Sequence, residues 1–269
     1  MRFGAILRLL RRESGLSLRD LARRLSVSGA YLSRVENGLD ATPTPARLQA
    51  MASELGIPAP LLMDLAHRVS PLVIDYVSRV PEAGTLFLEI AHRSLSARQL
   101  AELRSLLDER FPIQRKARKP VVSIASLLTK DRVLLRFTCS SMEDVLDVAA
   151  GRLAGAAKRN SAAIAPALNA RENELSSAIG AGVAVPCAFI ANTQPAAVLI
   201  TLAAPLAYST PDHEPLRLVI VLAGPERATD RSVRLAHVAR LAARGLADEL
   251  TRASSPAEAI SRLELLESL

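Results

Sequence analysis

The sequence predicts a multidomain protein of mixed class, with an all-α N-terminal part, a helical connector and an α/β C-terminal part. Three observations lead there. Apolar residues recur at helical spacing through about residue 66. A basic run, Arg115, Lys116, Arg118 and Lys119, then leads into Pro120. Beyond Pro120, short apolar runs alternate with helical stretches, the rhythm of a sheet covered by helices. We divide the chain into residues 1–66, 67–119 and 120–269.

The elements follow in order. Phe3, Ile6, Leu7 and Leu10 share one face of a first helix that Gly15 stops. Ser17 caps a second, whose inward face is Leu18, Leu21, Ala22 and Leu25. Ser26, Val27 and Ser28 connect tightly into a third helix, closed by Asn37 and Gly38. Pro45, Leu48, Met51, Ala52 and Leu55 describe a fourth that ends at Gly56, and a fifth starts near Pro60. From His67 to Arg110 the pattern stays helical, with a stripe of Leu100, Leu103, Leu106 and Leu107. In the last part, Ser140 with Glu143 reads as a capping box for the helix carrying Val145, Leu146, Val148, Ala149 and Leu153. Val183 to Val185, Val198 to Leu202 and Leu216 to Leu222 read as buried strands. Helices follow from about Arg231 and from Ser255, with Pro256 in its first turn. No internal repeat is present.

Composition narrows the function classes. Hydrophobic residues make up 49% of the 269, enough for one or two cores, and with 3% aromatics and no Trp those cores are packed by Leu, Val, Ile and Ala. The net charge of +7 suits a polyanionic partner, because Lys and Arg that neutralise phosphates release counterions; a merely solvated basic surface is the plainer alternative. Cys139 and Cys187 have no metal-ligand spacing and are too few for a disulfide framework, which fits a reducing cytoplasm. No export signal is visible at the Arg-rich N-terminus. The most apolar stretch, Ile179 to Tyr208, is broken by Pro186, Pro195 and Pro205 and by Asn192, Thr193 and Gln194, so no membrane span is expected. His67, His92, His213 and His237 lack ligand spacing, and no Gly-Lys-Ser/Thr loop or Gly-x-Ser-x-Gly elbow occurs. We therefore expect no metal, no cofactor and no ordinary enzyme.

The third helix carries the clearest chemistry. Leu32 and Val35 point inward, while Ala30, Ser33, Arg34 and Asn37 point outward together. That face is small, polar and basic. A major groove admits a helix only where bulk is absent, and Arg34 supplies the forked donor that reads guanine. Ser17 and Ser28 lie at helix N-termini and Thr42 and Thr44 just beyond the third helix, where hydroxyls and backbone N–H groups can hold phosphates in addition to capping. Tyr31 reads as core edge.

Leu18-Arg19-Asp20-Leu21-Ala22 and Tyr31-Leu32-Ser33-Arg34-Val35-Glu36-Asn37-Gly38 resemble the Cro/repressor-type helix-turn-helix of the XRE family, over residues 3 to about 66. The resemblance implies a five-helix bundle and a transcriptional regulator bound to a double-stranded DNA operator. Its base-reading positions fall on Gly29, Ala30 and Arg34, so direct readout is sparse and Ser33, Arg34 and DNA shape share the task. Such regulators bind as homodimers across half-sites about 34 Å apart. Here the middle helices either supply the dimer contact or merely connect.

Arg171-Glu172 followed by Ile179-Gly180-Ala181-Gly182-Val183-Ala184-Val185-Pro186-Cys187 resembles the enzyme IIA domain of the phosphotransferase system, fructose/mannitol type, a likeness running from about Val121 to Leu269. It implies a sandwich with a mixed sheet flanked by helices, a His that takes phosphate from HPr, a second His, and an Arg that steadies the phosphoryl group. Arg171 matches the Arg, Cys187 stands at the acceptor position, and the second His position falls on or near Ser232. Imidazole suits phosphoryl relay at pH 7, whereas an ordinary thiol is mostly protonated there. Three readings of Cys187 follow: a vestigial site in a domain kept as sensor, docking or dimerisation unit, which we prefer; a thiol working as phosphoryl acceptor or redox sensor; and a buried structural cysteine. We thus expect a cytoplasmic regulator whose degenerate domain answers HPr, another phosphotransferase protein or a small-molecule effector by changing the order of two tethered readers. The alternative is an active phosphocarrier coupled to transcription.

Overall fold

The computed structural model describes residues 3–66, 71–111, 123–157, 161–189, 194–225 and 228–268. The basic run Arg115 to Lys119 lies outside them. In space the chain forms two compact units, one of Met1–His67 with Val122–Leu269 and the other Arg68–Val121.

The reader bundle comprises α1 (Phe3–Glu13), α2 (Leu18–Arg24), α3 (Gly29–Glu36), α4 (Pro45–Leu55) and α5 (Ala59–Leu65). Its punctuation is local, as expected from the sequence. Ser17 and Ser28 accept the Asp20 and Tyr31 amides at 3.0 and 3.1 Å, and Gly56 closes α4 in the left-handed region. Ile6, Leu7, Leu10, Leu21, Leu32 and Leu48 are wholly buried among them. Two features lock α1 to α3. A Cβ on Gly4 would stand 2.2 Å from the Val35 carbonyl oxygen, so only glycine permits this approach. Beside it, Arg11 donates to both Glu36 carboxylate oxygens at 2.6 and 2.8 Å, out of water, and to the Leu16 carbonyl at 2.9 Å.

The second unit carries α6 (Pro71–Arg79), α7 (Pro81–His92) and α8 (Ala97–Arg110). A capping box of Ser96 and Gln99 starts α8. The predicted stripe of Leu100, Leu103, Leu106 and Leu107 is exposed, as are Leu86, Phe87 and Leu88 on α7.

The α/β domain adds β1 (Val133–Phe137), α9 (Met142–Ala157), α10 (Ser161–Glu174), β2 (Ala178–Gly180), β3 (Val183–Ala184), β4 (Cys187–Phe189), β5 (Ala196–Leu206), β6 (Leu216–Gly224), α11 (Ala228–Ala242), α12 (Leu246–Thr251) and α13 (Pro256–Ser268). The sheet is mixed. Its order is β1, β5, β6, β3, β2, with β4 also on β6; β1 runs parallel to β5, β3 and β4 run parallel to β6, and the other pairs are antiparallel. Because strand side chains alternate, Val198, Ile200, Val219 and Val221 face α9 and α10, while Val183, Val185, Leu199, Leu218 and Ile220 face the layer of α11 to α13. The expected cap of α9 shifts by one residue. Ser141, not Ser140, accepts the Asp144 amide at 3.2 Å, and Asp144, not Glu143, answers from the third position. Two serines and two acids in a row offer both registers, and burial of Met142 selects this one.

The reader is seated directly on this domain. Helices α1 and α5 both pack on α11, and one apolar cluster runs from Ile6 and Leu65 through Leu235 and Val238 to the sheet.

Candidate nucleic-acid interface and the cleft at Cys187

On α3 the structure gathers most of the predicted site. Ala30, Arg34 and Asn37 are exposed, Gly29 and Ser33 are half-buried, and Leu32 and Val35 point inward. Arg34 is 62% exposed and is held by Asp40, whose Oδ1 accepts its Nε at 2.9 Å and lies 2.7 Å from its Nη2. The fork is thereby oriented before any partner arrives. Asn37 is committed to the bundle: its Nδ2 donates to the Ser33 carbonyl at 2.8 Å and its Oδ1 accepts from Arg8. Ser17 is exposed, and its hydroxyl donates to Asp20 at 2.5 Å while capping α2. That hydrogen bond holds the Asp20 carboxyl below its usual range. Thr44 is exposed at the start of α4 and makes no capping bond, whereas Thr42 is half-buried. Sequence reasoning missed Arg47, whose guanidinium lies 4.9 Å over the Tyr31 ring and adds an exposed cation beside α3. Spacing alone does not reveal it.

A second candidate site lies where the reader meets the α/β domain. Arg171 near the end of α10, Cys187 at the start of β4, and Arg231 and Ser232 on α11 lie near one another there. Into this group the reader inserts the end of α1. Arg171 donates to the Glu13 carboxylate, Arg231 donates to the Glu13 carbonyl at 2.7 Å with its Nε 3.4 Å from Glu13 Oε2, and the Ser14 and Ser232 hydroxyls bond at 3.0 Å. A cleft of about 340 Å³ adjoins, walled by Leu168, Leu175, Val185 and Pro186 with Arg12, Ser177 and Cys187. Burial pushes the Cys187 thiol far above its usual range, Glu13 adds to that, and Arg171 and Arg231 only partly oppose it. Its Sγ points to the Val185 carbonyl at 3.5 Å. Glu172, next to Arg171, accepts the Ser177 amide at 2.9 Å and the Tyr208 hydroxyl at 2.5 Å, which fixes the turn after α10. Glu13, Ser14 and Arg231 were invisible to sequence reading, since 158 and 218 residues separate the partners.

Comparison with known proteins places these features. Residues 126–264, more than half of the chain, match the family described as "Phosphoenolpyruvate-dependent sugar phosphotransferase system, EIIA 2". The chain belongs to this family. N-terminal to the EIIA 2 domain, residues 2–65 match the family described as "Helix-turn-helix domain". The HTH-type transcriptional repressor RghR of Bacillus subtilis (strain 168) is 44% identical over 81 residues, covering 30% of this chain and 54% of that protein. The uncharacterized HTH-type transcriptional regulator RghRB of the same organism is 39% identical over 67 residues, covering 25% of this chain and 48% of its own. The chain spans about half the length of the curated relatives it matches. Among solved structures, nitrogen regulatory protein IIA-Ntr from Neisseria meningitidis is similar to the EIIA 2 part, with 26% identity, a TM-score of 0.47, and coverage of 52% of this chain and 98% of that one. IIA mannitol from Escherichia coli gives 15% identity, a TM-score of 0.44, and coverage of 51% and 98%. Among the described residues no helix is long and apolar enough to cross a membrane.

Proposed function

We propose that the protein is a sequence-specific DNA-binding transcriptional regulator of the cytoplasm, in which α3 enters the major groove of an operator and the EIIA 2 domain serves as sensor or interaction module. The observation that carries this reading is the outer face of α3, whose small and half-buried residues flank one Arg pre-oriented by Asp40, within a segment matching a helix-turn-helix family. Ser28 and Ser17 hold phosphates at two helix starts, and Gly29 and Ala30 allow close approach without reading bases. Asn37, Thr42 and Thr44 flank the contact. The names of the two Bacillus subtilis relatives support a regulator of this kind.

Phosphoryl transfer is not part of the proposal. A thiol that burial and Glu13 keep protonated is a poor acceptor, and Arg171 is occupied by Glu13. We take the site as vestigial for phosphate exchange with HPr. Incubation with labelled phosphoenolpyruvate, enzyme I and HPr should leave the protein unlabelled; label lost in Cys187→Ala would reinstate the phosphocarrier. The regulator acts as a homodimer, for which the exposed Leu86, Phe87, Leu88, Leu103, Leu106 and Leu107 of the second unit supply an apolar face.

A genome-wide map of bound DNA followed by titration of the recovered duplex tests the reading. Binding should weaken steeply with salt. In Arg34→Ala it should lose about 1–3 kcal/mol of discrimination at one base pair while retaining its affinity for unrelated duplex. Absence of any salt-sensitive attraction to duplex DNA would remove the proposal.

A further inference from the structure

The contact at Glu13 has the make-up of a ligand site already filled. Both guanidinium groups belong to the EIIA 2 domain, on α10 and α11, while the carboxylate comes from the reader. The two cations lie close enough for Arg171 to act on Arg231, and the Glu13 carboxylate offsets that repulsion. It serves as the pair's anion, and it does so incompletely. Its Oε2 is buried 3.4 Å from Arg231 Nε yet makes no hydrogen bond among the described residues. The adjoining cleft of about 340 Å³ reaches the lower end of the range for small-molecule sites, roughly 300–1,000 Å³. Leu168, Leu175, Val185 and Pro186 give it an apolar wall, Arg171 lines it with Glu172 and Glu174, the Glu172 carboxylate already taken by Ser177 and Tyr208, and half-exposed Arg12 stands there 3.8 Å from Glu174. On the same wall the Ser177 hydroxyl, in a residue 5% exposed, has no hydrogen-bond partner among the described residues. A buried hydroxyl without a partner is uncommon and costs about 1–3 kcal/mol. A short apolar stem ending in carboxylate fits this lining better than a bare inorganic ion.

We propose that the Arg171 and Arg231 pair is a carboxylate-binding site, that Glu13 is its internal ligand, and that a small free organic carboxylate entering the cleft competes with Glu13 and loosens the reader from the EIIA 2 domain. The site stands independently of the DNA-binding reading; only its consequence for transcription rests on that reading. Ligand and reader then exclude one another by mass action, and the ligand shifts the docked population only by its preference for the undocked state.

Glutarate, a free copy of the glutamate stem with a second carboxylate for Arg12, is the probe. Calorimetric titration into the full-length protein should give a dissociation constant at least tenfold lower for Glu13→Gln than for wild type, and adding Arg171→Met should abolish the heat. Neutral glutaramide should not bind. In the unmodified protein, saturating glutarate should speed amide hydrogen exchange of α1 at least tenfold, a readout that needs no variant. Equal affinity of wild type and Glu13→Gln, no glutarate binding by either, or binding of inorganic phosphate in its place would each overturn the proposal. Duplex binding measured in parallel separates the two ideas: loss of all DNA affinity with glutarate competition intact sinks the regulator reading alone.

Discussion

Removing the Arg11 guanidinium should cripple the reader. Glu36 keeps only 1% of its side chain exposed, and Arg11 supplies hydrogen bonds to both of its oxygens, at 2.6 and 2.8 Å. Arg11→Ala leaves a buried carboxylate without its main counter-charge, which costs about 3–5 kcal/mol. The lost bond to the Leu16 carbonyl adds to this, because that carbonyl lies in the turn before α2. One compensation works the other way: Arg8 Nε is 3.5 Å from Glu36 Oε2 and 39% exposed, so it can take part of the charge. The lower end, about 3 kcal/mol, is therefore expected. For a cooperative unit of this size each kcal/mol lowers the melting temperature by roughly 2–4 °C, so the drop should be about 6–12 °C by calorimetry. Arg11→Met with Glu36→Leu, which removes both charges, should recover most of the loss. A drop under about 2 °C for Arg11→Ala, or no recovery in the double variant, would show that the pair is not what fixes α3 against α1.

Gly4→Ala should destabilise the same junction by at least about 1–3 kcal/mol, since its methyl would overlap the Val35 carbonyl oxygen at 2.2 Å; a melting curve identical to wild type refutes that packing. Glu267 accepts Ser123 Oγ and Ile124 N at 2.6 and 2.5 Å; although burial pushes its carboxyl up, the bonds from His237, Ser123 and Ile124 bring it below the usual range. Its contribution is thus present above the unfolded value near 4.3 and lost as pH falls through the lower folded value. Glu267→Ala should cost about 2–4 kcal/mol at pH 6, and the difference from wild type should shrink toward pH 3 in urea titrations. In a Cys139→Ser background, Cys187 should react with iodoacetamide at pH 8 at least about tenfold more slowly in the folded protein than in urea. Equal rates would mean a thiol far more acidic than its burial allows.

Local signals made the reader legible. Its caps and stops, Ser17, Ser28, Gly15, Gly38 and Gly56, act on their immediate neighbours, so each helix boundary is written where it occurs. The long strands β5 and β6 were legible through their mostly apolar stretches Val198 to Leu202 and Leu216 to Leu222, buried apart from half-buried Arg217, whereas the exposed end of β5, Ala203 to Pro205, was not. The strands β2, β3 and β4 span only three, two and three residues, and exist because β6 lends its backbone to β3 and β4. No periodicity survives at that length, and only β3 lay within a predicted strand. Resemblance brought Cys187 and Arg171 to attention, yet what fills their surroundings comes from a helix that begins at the other end of the chain. The Arg11 and Glu36 pair escaped for a related reason: each looks like an ordinary solvated charge until α1 is laid across α3.

Helix α1 is where the two candidate sites meet. Successive residues of an α-helix turn by about 100°, so Arg11 and Glu13 leave the helix roughly 200° apart, on opposite flanks. One flank grips Glu36 on α3, and the other grips Arg171 and Arg231. Ile6, Leu7 and Leu10 lie buried in the apolar cluster shared with α11. A change in what occupies the arginine pair therefore bears on the seating of a helix that packs against α3. Surfaces of α1 and α5 covered by α11 are closed to any other partner while the two stay packed.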